Sequence, residues 1–219
     1  MKDFYRNPVV LIPGFYATAS AFDKLSDYLS KLGWAVYTLD LIPNTGEVEL
    51  ESLAKQLDDF ISETFEPQQL LDLVGFSMGG IVSRYYVQRL GGINRIGRLV
   101  TVASPHYGTR TAYLCDRKAC LQLRPDSTFL QNLNSDISML AQIGFTSIWT
   151  PFDFIIFPPE SSKVTVGQNV TVPVLHHAWT VRDEGIFQVV SAALKQPLKP
   201  ALNGLNIASQ LKESMGCCI

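Results

Sequence analysis

Short apolar runs alternate with amphipathic stretches along most of the chain, and this alternation narrows the possible folds more than any other feature. The runs are PVVLIPGF from Pro8, WAVYTLDL from Trp34, LLDLVGF from Leu70, IGRLVTVAS from Ile96, FTSIWT from Phe145 and VTVPVLHH from Val170. Each is too short for a buried helix and closes on or beside Pro, Gly, Asp, Ser or His, so each reads as a strand. Between them, Phe22, Leu25, Leu29 and Leu32 recur at helical spacing, as do Leu50, Leu53, Ala54, Leu57 and Ile61. A third such face carries Ile81, Val82, Tyr85, Tyr86 and Leu90, and a fourth, from about Asp183, carries Ile186, Val189, Val190 and Ala193. Strands that are apolar on both sides need cover on both sides. The expected fold is therefore α/β: a mostly parallel six-stranded sheet with helices on both faces.

The chain has 219 residues, enough for one well-buried domain and short for two. The stretch 106–141 interrupts the alternation and reads as a lid-like insertion, with two ordinary helices and loops as the plainer alternative. Residues 200–219 read as a C-terminal tail. Eighteen basic and 20 acidic residues leave a net charge of −2, which does not suit nucleic acid. No apolar run approaches the roughly 18 residues of a membrane span. The N-terminus shows no secretory leader, so a cytoplasmic location is expected. Cys115 and Cys120 could bridge a short loop, but on that ground free thiols are the favoured reading, and Cys217 and Cys218 are read as part of the tail.

In an open parallel sheet, functional groups collect beyond the carboxyl ends of the strands. Gly75-Phe76-Ser77-Met78-Gly79 lies at such an end, between an apolar strand and an amphipathic helix. A sharp turn there would strain the serine backbone and hold its hydroxyl above the sheet, while the glycines permit close packing. Ser77 is thus the candidate nucleophile, and it needs a base. His106 follows the fourth strand, whereas His176 and His177 follow the sixth. The chain order serine, acid, histidine selects the last strand, and His177, further into the loop, is favoured over His176. Asp153, after the fifth strand, is the candidate acid, with Glu160 as its rival; Asp183 reads as a helix cap. The N–H groups of Met78 and Phe15 are the candidate oxyanion donors. Tyr16, Phe76, Trp149, Phe154 and Trp179 are the candidate acyl-binding residues. No metal or cofactor is called for. Arg110, Arg117, Lys118 and Arg124 are candidates for contact with an anionic lipid surface.

VVLIPGF, LVGFSMGG, TPFDFII and the junction HHAWTVRDEGIFQVV together resemble the α/β-hydrolase superfamily, in particular its small bacterial-type lipases and esterases on a minimal sheet. In that family an apolar helix residue follows the histidine by nine positions, as Ile186 follows His177. ASPHYGT and LRPDSTFLQNLN resemble the segment after the nucleophile strand and the lid of bacterial triacylglycerol lipases. Pro13 stands where the family usually has a histidine, so the oxyanion loop departs from the pattern. The resemblance implies carboxylic ester hydrolysis, most directly of acylglycerols or membrane glycolipids. Its cyanobacterial-type members point to galactolipids and to contact with an inner or thylakoid membrane. A short-chain esterase, an acyl thioesterase and a non-catalytic binding domain are the alternatives.

Overall fold

The structure is a computed structural model and describes residues 6–199; the tail cysteines Cys217 and Cys218 lie outside the described residues. Six strands form one sheet: β1 (Val9–Ile12), β2 (Val36–Thr38), β3 (Leu71–Phe76), β4 (Ile96–Val102), β5 (Gly144–Trp149) and β6 (Gln168–Thr171). Their order is β2-β1-β3-β4-β5-β6, and every neighbouring pair is parallel. All carboxyl ends therefore open on one edge.

The period-2 alternation of each strand divides the apolar residues between two cores. Val10, Ile12, Leu71 and Leu73 face a core completed by α2 (Leu50–Thr64) and α3 (Met78–Arg89). Val9, Leu11, Val74 and Phe76 face one completed by α1 (Asp23–Lys31) and α6 (Glu184–Leu194). Asp183 caps α6, its Oδ1 accepting the Ile186 N–H at 3.1 Å. Gly33 follows α1 at φ 89°, a left-handed position that ends the helix without a Cβ penalty.

The edge strands are shorter than their apolar runs. Only Val36–Thr38 of WAVYTLDL pairs, and this strand has a neighbour on one side alone, so it is half-exposed rather than buried. The last strand stops at Thr171, because Pro173 has no N–H to continue the ladder. His176 and His177 are therefore loop and 3-10 residues, and strand alternation does not govern which way they point.

Residues 106–141 fold as a 3-10 turn (Arg110–Leu114), α4 (Lys118–Gln122), α5 (Thr128–Ser135) and the start of a second 3-10 turn (Ile137–Gln142). A buried cation on α3 holds α5 down. The fully buried Arg84 donates through Nη2 to the Leu133 carbonyl (3.1 Å) and Asn134 Oδ1 (2.9 Å), and through Nε to Gln88 Oε1 (3.1 Å). Burial lowers its pKa to about 10, so it stays charged at neutral pH. Cys115 and Cys120 form a disulfide in this segment, which corrects the reading of free thiols. Five positions of separation and a turn before α4 bring the two together, a geometry that their spacing alone did not determine. Among the described residues, no helix is long and apolar enough to cross a membrane.

Candidate active site

β3 runs directly into α3 through Ser77, whose backbone sits at φ 53° and ψ −120°. An L-residue holds that conformation only when its surroundings impose it. Here the Ser77 N–H donates to the Val102 carbonyl at 2.8 Å on one side, and α3 begins at once on the other. The turn closes because two positions lack side chains. A Cβ on Gly75 would lie 2.6 Å from the Gly80 Cα, and one on Gly79 would lie 2.5 Å from the Pro13 carbonyl oxygen. The glycines thus let the helix start pack against β1 and β3.

Asp153 and His177 reach Ser77 from two other strand ends. Thr150 follows β5, and its hydroxyl bonds to the Val174 carbonyl (2.6 Å), joining the loops after β5 and β6. Asp153 is only 2% exposed. Its Oδ1 accepts the N–H groups of Ile155 (2.9 Å) and Ile156 (2.8 Å), which offsets the cost of burying a carboxylate. Its Oδ2 lies 2.7 Å from His177 Nδ1. The other ring nitrogen, Nε2, lies 2.9 Å from Ser77 Oγ. With Nδ1–H donating to the carboxylate, Nε2 is left as the acceptor for the serine proton. The Phe76 ring, 4.9 Å from the imidazole, backs it.

The other two histidines stand apart from this chain of contacts. His176 is exposed and packs edge-on against Trp179 at 4.3 Å. His106 is fully buried. The Arg84 guanidinium can only donate, so His106 Nδ1 accepts from it at 3.3 Å and Nε2–H donates to Thr101 Oγ1 at 3.0 Å. Burial, with Arg84 beside it, holds its pKa well below the ordinary histidine value. Glu160, the rival acid, lies in a 3-10 turn, and among the described residues the His177 ring bonds to Asp153 and Ser77 and not to it.

Phe15 and Met78 border a common cavity with Ser77, and neither N–H has an acceptor among the described residues. Two cavities meet at Ser77. One, of about 550 Å³, is bordered by Tyr16, Phe76, His177, Trp179 and Arg182. The other, of about 180 Å³, is bordered by Met78, Ala112, Cys115, Cys120 and Leu123. Of the five aromatic candidates, Tyr16, Phe76 and Trp179 border the larger cavity. Trp149 does not, because the pleat of β5 turns it away, under the Lys163 ammonium 4.4 Å from its ring. Phe154 does not either; it is 74% exposed, its neighbour Ile155 taking the place at the cavity wall.

The basic residues of the insertion are mostly paired within the fold. Arg117 meets Glu47 (3.4 Å), Lys118 meets Glu49 (2.8 Å) and Arg124 meets Asp116 (2.6 Å), so a free basic face is not what the segment presents. Sequence reasoning missed Arg117 as a cross-tie: its Nη1 donates to the Tyr16 hydroxyl at 2.8 Å and the Thr45 carbonyl at 2.6 Å. It also missed the disulfide as a cavity wall. No periodicity or motif marks either contact, since both depend on how loops far apart in sequence meet.

A family model described as palmitoyl protein thioesterase matches residues 8–152, about two thirds of the chain. Among solved structures, a lipase of Bacillus licheniformis in its mature form superposes with a TM-score of 0.73 at 16% identity, over 89% of this chain and 94% of that one. Lipase B of Aspergillus fumigatus gives 0.72 at 16% identity, over 94% of this chain but 58% of its own length. An extracellular alpha/beta-hydrolase from a Paenibacillus species gives 0.64 at 20% identity, over 87% of this chain and all of that one. At such identities the likeness is one of fold, and the fold is that of the α/β-hydrolases.

Proposed function

The chain belongs to the palmitoyl protein thioesterase family, and from that premise we propose that it is a serine hydrolase that cleaves acyl esters through an acyl-Ser77 intermediate. The supporting observation is the unbroken run of contacts from Asp153 through His177 to Ser77. In the proposed reaction, Ser77 Oγ attacks the acyl carbonyl while His177 Nε2 takes its proton. Asp153 holds the imidazole in the accepting tautomer and stabilises the imidazolium. The N–H groups of Phe15 and Met78 receive the developing oxyanion. His177 then passes the proton to the departing oxygen or sulfur. Water, deprotonated by the same imidazole, releases the acid and restores Ser77.

The substrate we propose is an acyl lipid, an acylglycerol or membrane glycolipid, with galactolipid among the glycolipids to be tried. Exposed Tyr16, Ile155 and Trp179 around the larger cavity suit a substrate presented at a lipid surface. The insertion at 106–141 would cover the acyl side of the site. Thioester cleavage is the second reading, favoured by the family match, and the same three side chains would perform it.

A fluorophosphonate probe tests the chemistry directly. It should label the folded wild type at Ser77 and leave Ser77→Ala unlabelled, with ester turnover down about 10⁴-fold or more. A folded wild type that resists the probe would reject the hydrolase reading in favour of a non-catalytic binding domain. Matched oxygen esters and thioesters, from short soluble chains to acylglycerols and galactolipids, then rank the substrate classes. Activity on the shortest soluble esters with none on any acylglycerol or galactolipid would reject the lipid reading.

A further inference from the structure

Resting on that reading, we propose that the 180 Å³ cavity is the acyl subsite, and that the Cys115–Cys120 disulfide sets the length of chain it admits. The assignment follows from where the proton must go. His177 borders the larger cavity and not the smaller one. The imidazole that protonates the leaving group must touch it, so the leaving group occupies the 550 Å³ side. The acyl chain is left with the other side, which starts at the same Ser77 and carries the Met78 N–H.

The chemistry of the smaller wall agrees. Ala112, Leu123 and Ile156 supply hydrocarbon, and the two sulfurs are themselves apolar. Besides Ser77 the hydroxyls present are those of Thr109 and Thr111, which both donate to the Ile155 carbonyl, at 2.7 and 2.6 Å, so neither needs a ligand. The larger cavity instead offers Thr18, Ser20 and Arg182 to a polar leaving group.

Size sets the specificity. An apolar cavity of about 150 Å³ holds one benzene molecule, so 180 Å³ takes about six or seven carbons. Each methylene buried there is worth about a fourfold gain in kcat/KM until the chamber is full. The disulfide spans five positions at the end of the 3-10 turn and the start of α4, both of which wall the chamber. Cys115 is half-buried and within reach of a small reductant. A dithiol would supply two electrons and two protons. The Sγ–Sγ bond would break, thiols would form on both cysteines, and the reagent would close to its own disulfide. The turn would then loosen while the sheet and α3 keep their packing.

The test is a p-nitrophenyl ester series from two to sixteen carbons, run on the oxidised wild type, the dithiothreitol-reduced wild type, the Cys115→Ser/Cys120→Ser double variant and Ala112→Leu. Fluorophosphonate labelling of Ser77 and a melting curve accompany each. The oxidised protein should reach its maximum near six to eight carbons and gain nothing further by sixteen, because carbons beyond the cavity lie in solvent. Reduction and the double serine variant should both move the peak up by two or more carbons, and Ala112→Leu should move it down. If Ala112→Leu alone shifts the peak, the acyl subsite stands and the disulfide gauge is rejected. If every ester profile is the same while Ser77 labels normally, the subsite is rejected and the hydrolase reading stands. If no ester is cleaved and Ser77 never labels, the hydrolase reading falls and takes this inference with it.

Discussion

In the proposed reaction, Asp153 would serve folding and chemistry at once. Its Oδ1 ties the loop after β5 through two backbone N–H groups, and its Oδ2 faces His177. Asp153→Asn keeps a carbonyl oxygen for the first task. For the second it presents an amide N–H₂, and the imidazole must then turn its protonated nitrogen toward Ser77. Turnover should fall about 10⁴-fold with the melting temperature nearly unchanged. Ester kinetics and a thermal scan on the same preparation check this, and a variant within tenfold of wild type would show that Asp153 does not orient the base. At this scale much was legible. The Gly-x-Ser-x-Gly run and the chain order of acid and histidine singled out three side chains that the fold brings within hydrogen-bonding distance. Trp149 and Phe154 were not legible as bystanders, because an aromatic beside a strand end looks the same whichever way the pleat turns it.

The strand-turn-helix element stands or falls on close backbone approach. The obstacle to a methyl group at Gly79 is a backbone oxygen, which cannot rotate away as a side chain would. Gly79→Ala should cost about 2–3 kcal/mol and abolish activity, because β1 and the start of α3 must separate. Gly91 is the control: it has φ 82° but open space around its missing Cβ, so Gly91→Ala should cost only about 1 kcal/mol, with activity retained. Urea unfolding of both variants gives the comparison, and equal losses would refute the packing argument. Elements were legible in the sequence where both neighbours bury them, as β1, β3, β4 and β5 show. They were blurred at the edges, where Pro173 cut β6 short and exposure thinned β2 to three residues. The disulfide was misread because it was judged from the expected compartment; the turn that joins its halves is a tertiary fact.

Across the whole molecule, two buried groups on opposite halves of the sheet oppose each other in acid. Burial pushes the Asp72 carboxyl up to about 6, against the pull of Arg98 and Asn7. The native state keeps a proton that the unfolded chain releases near pH 4, so Asp72 favours folding below that pH and the benefit is lost as pH rises toward 6. His106 behaves in the reverse sense. Its native pKa lies well below 6.5, so its contribution is present above 6.5 and lost as pH falls. Between about pH 4 and 6 the two partly cancel. Asp72→Asn leaves His106 unopposed, and its stability should fall more steeply than wild type on acidification through that window. Urea midpoints at pH 4, 5, 6 and 7 measure the difference, with exposed carboxylates common to both proteins; parallel curves would rule out the Asp72 contribution. The one-directional sheet has a practical consequence as well. β1 enters at the edge remote from Ser77, and Arg98, at the start of β4, donates to the Gln196 carbonyl just past α6. The described residues thus begin and end on the floor of the molecule, so a label placed at Arg6 or Gln196 would sit on the side away from Ser77 and leave both cavities unobstructed.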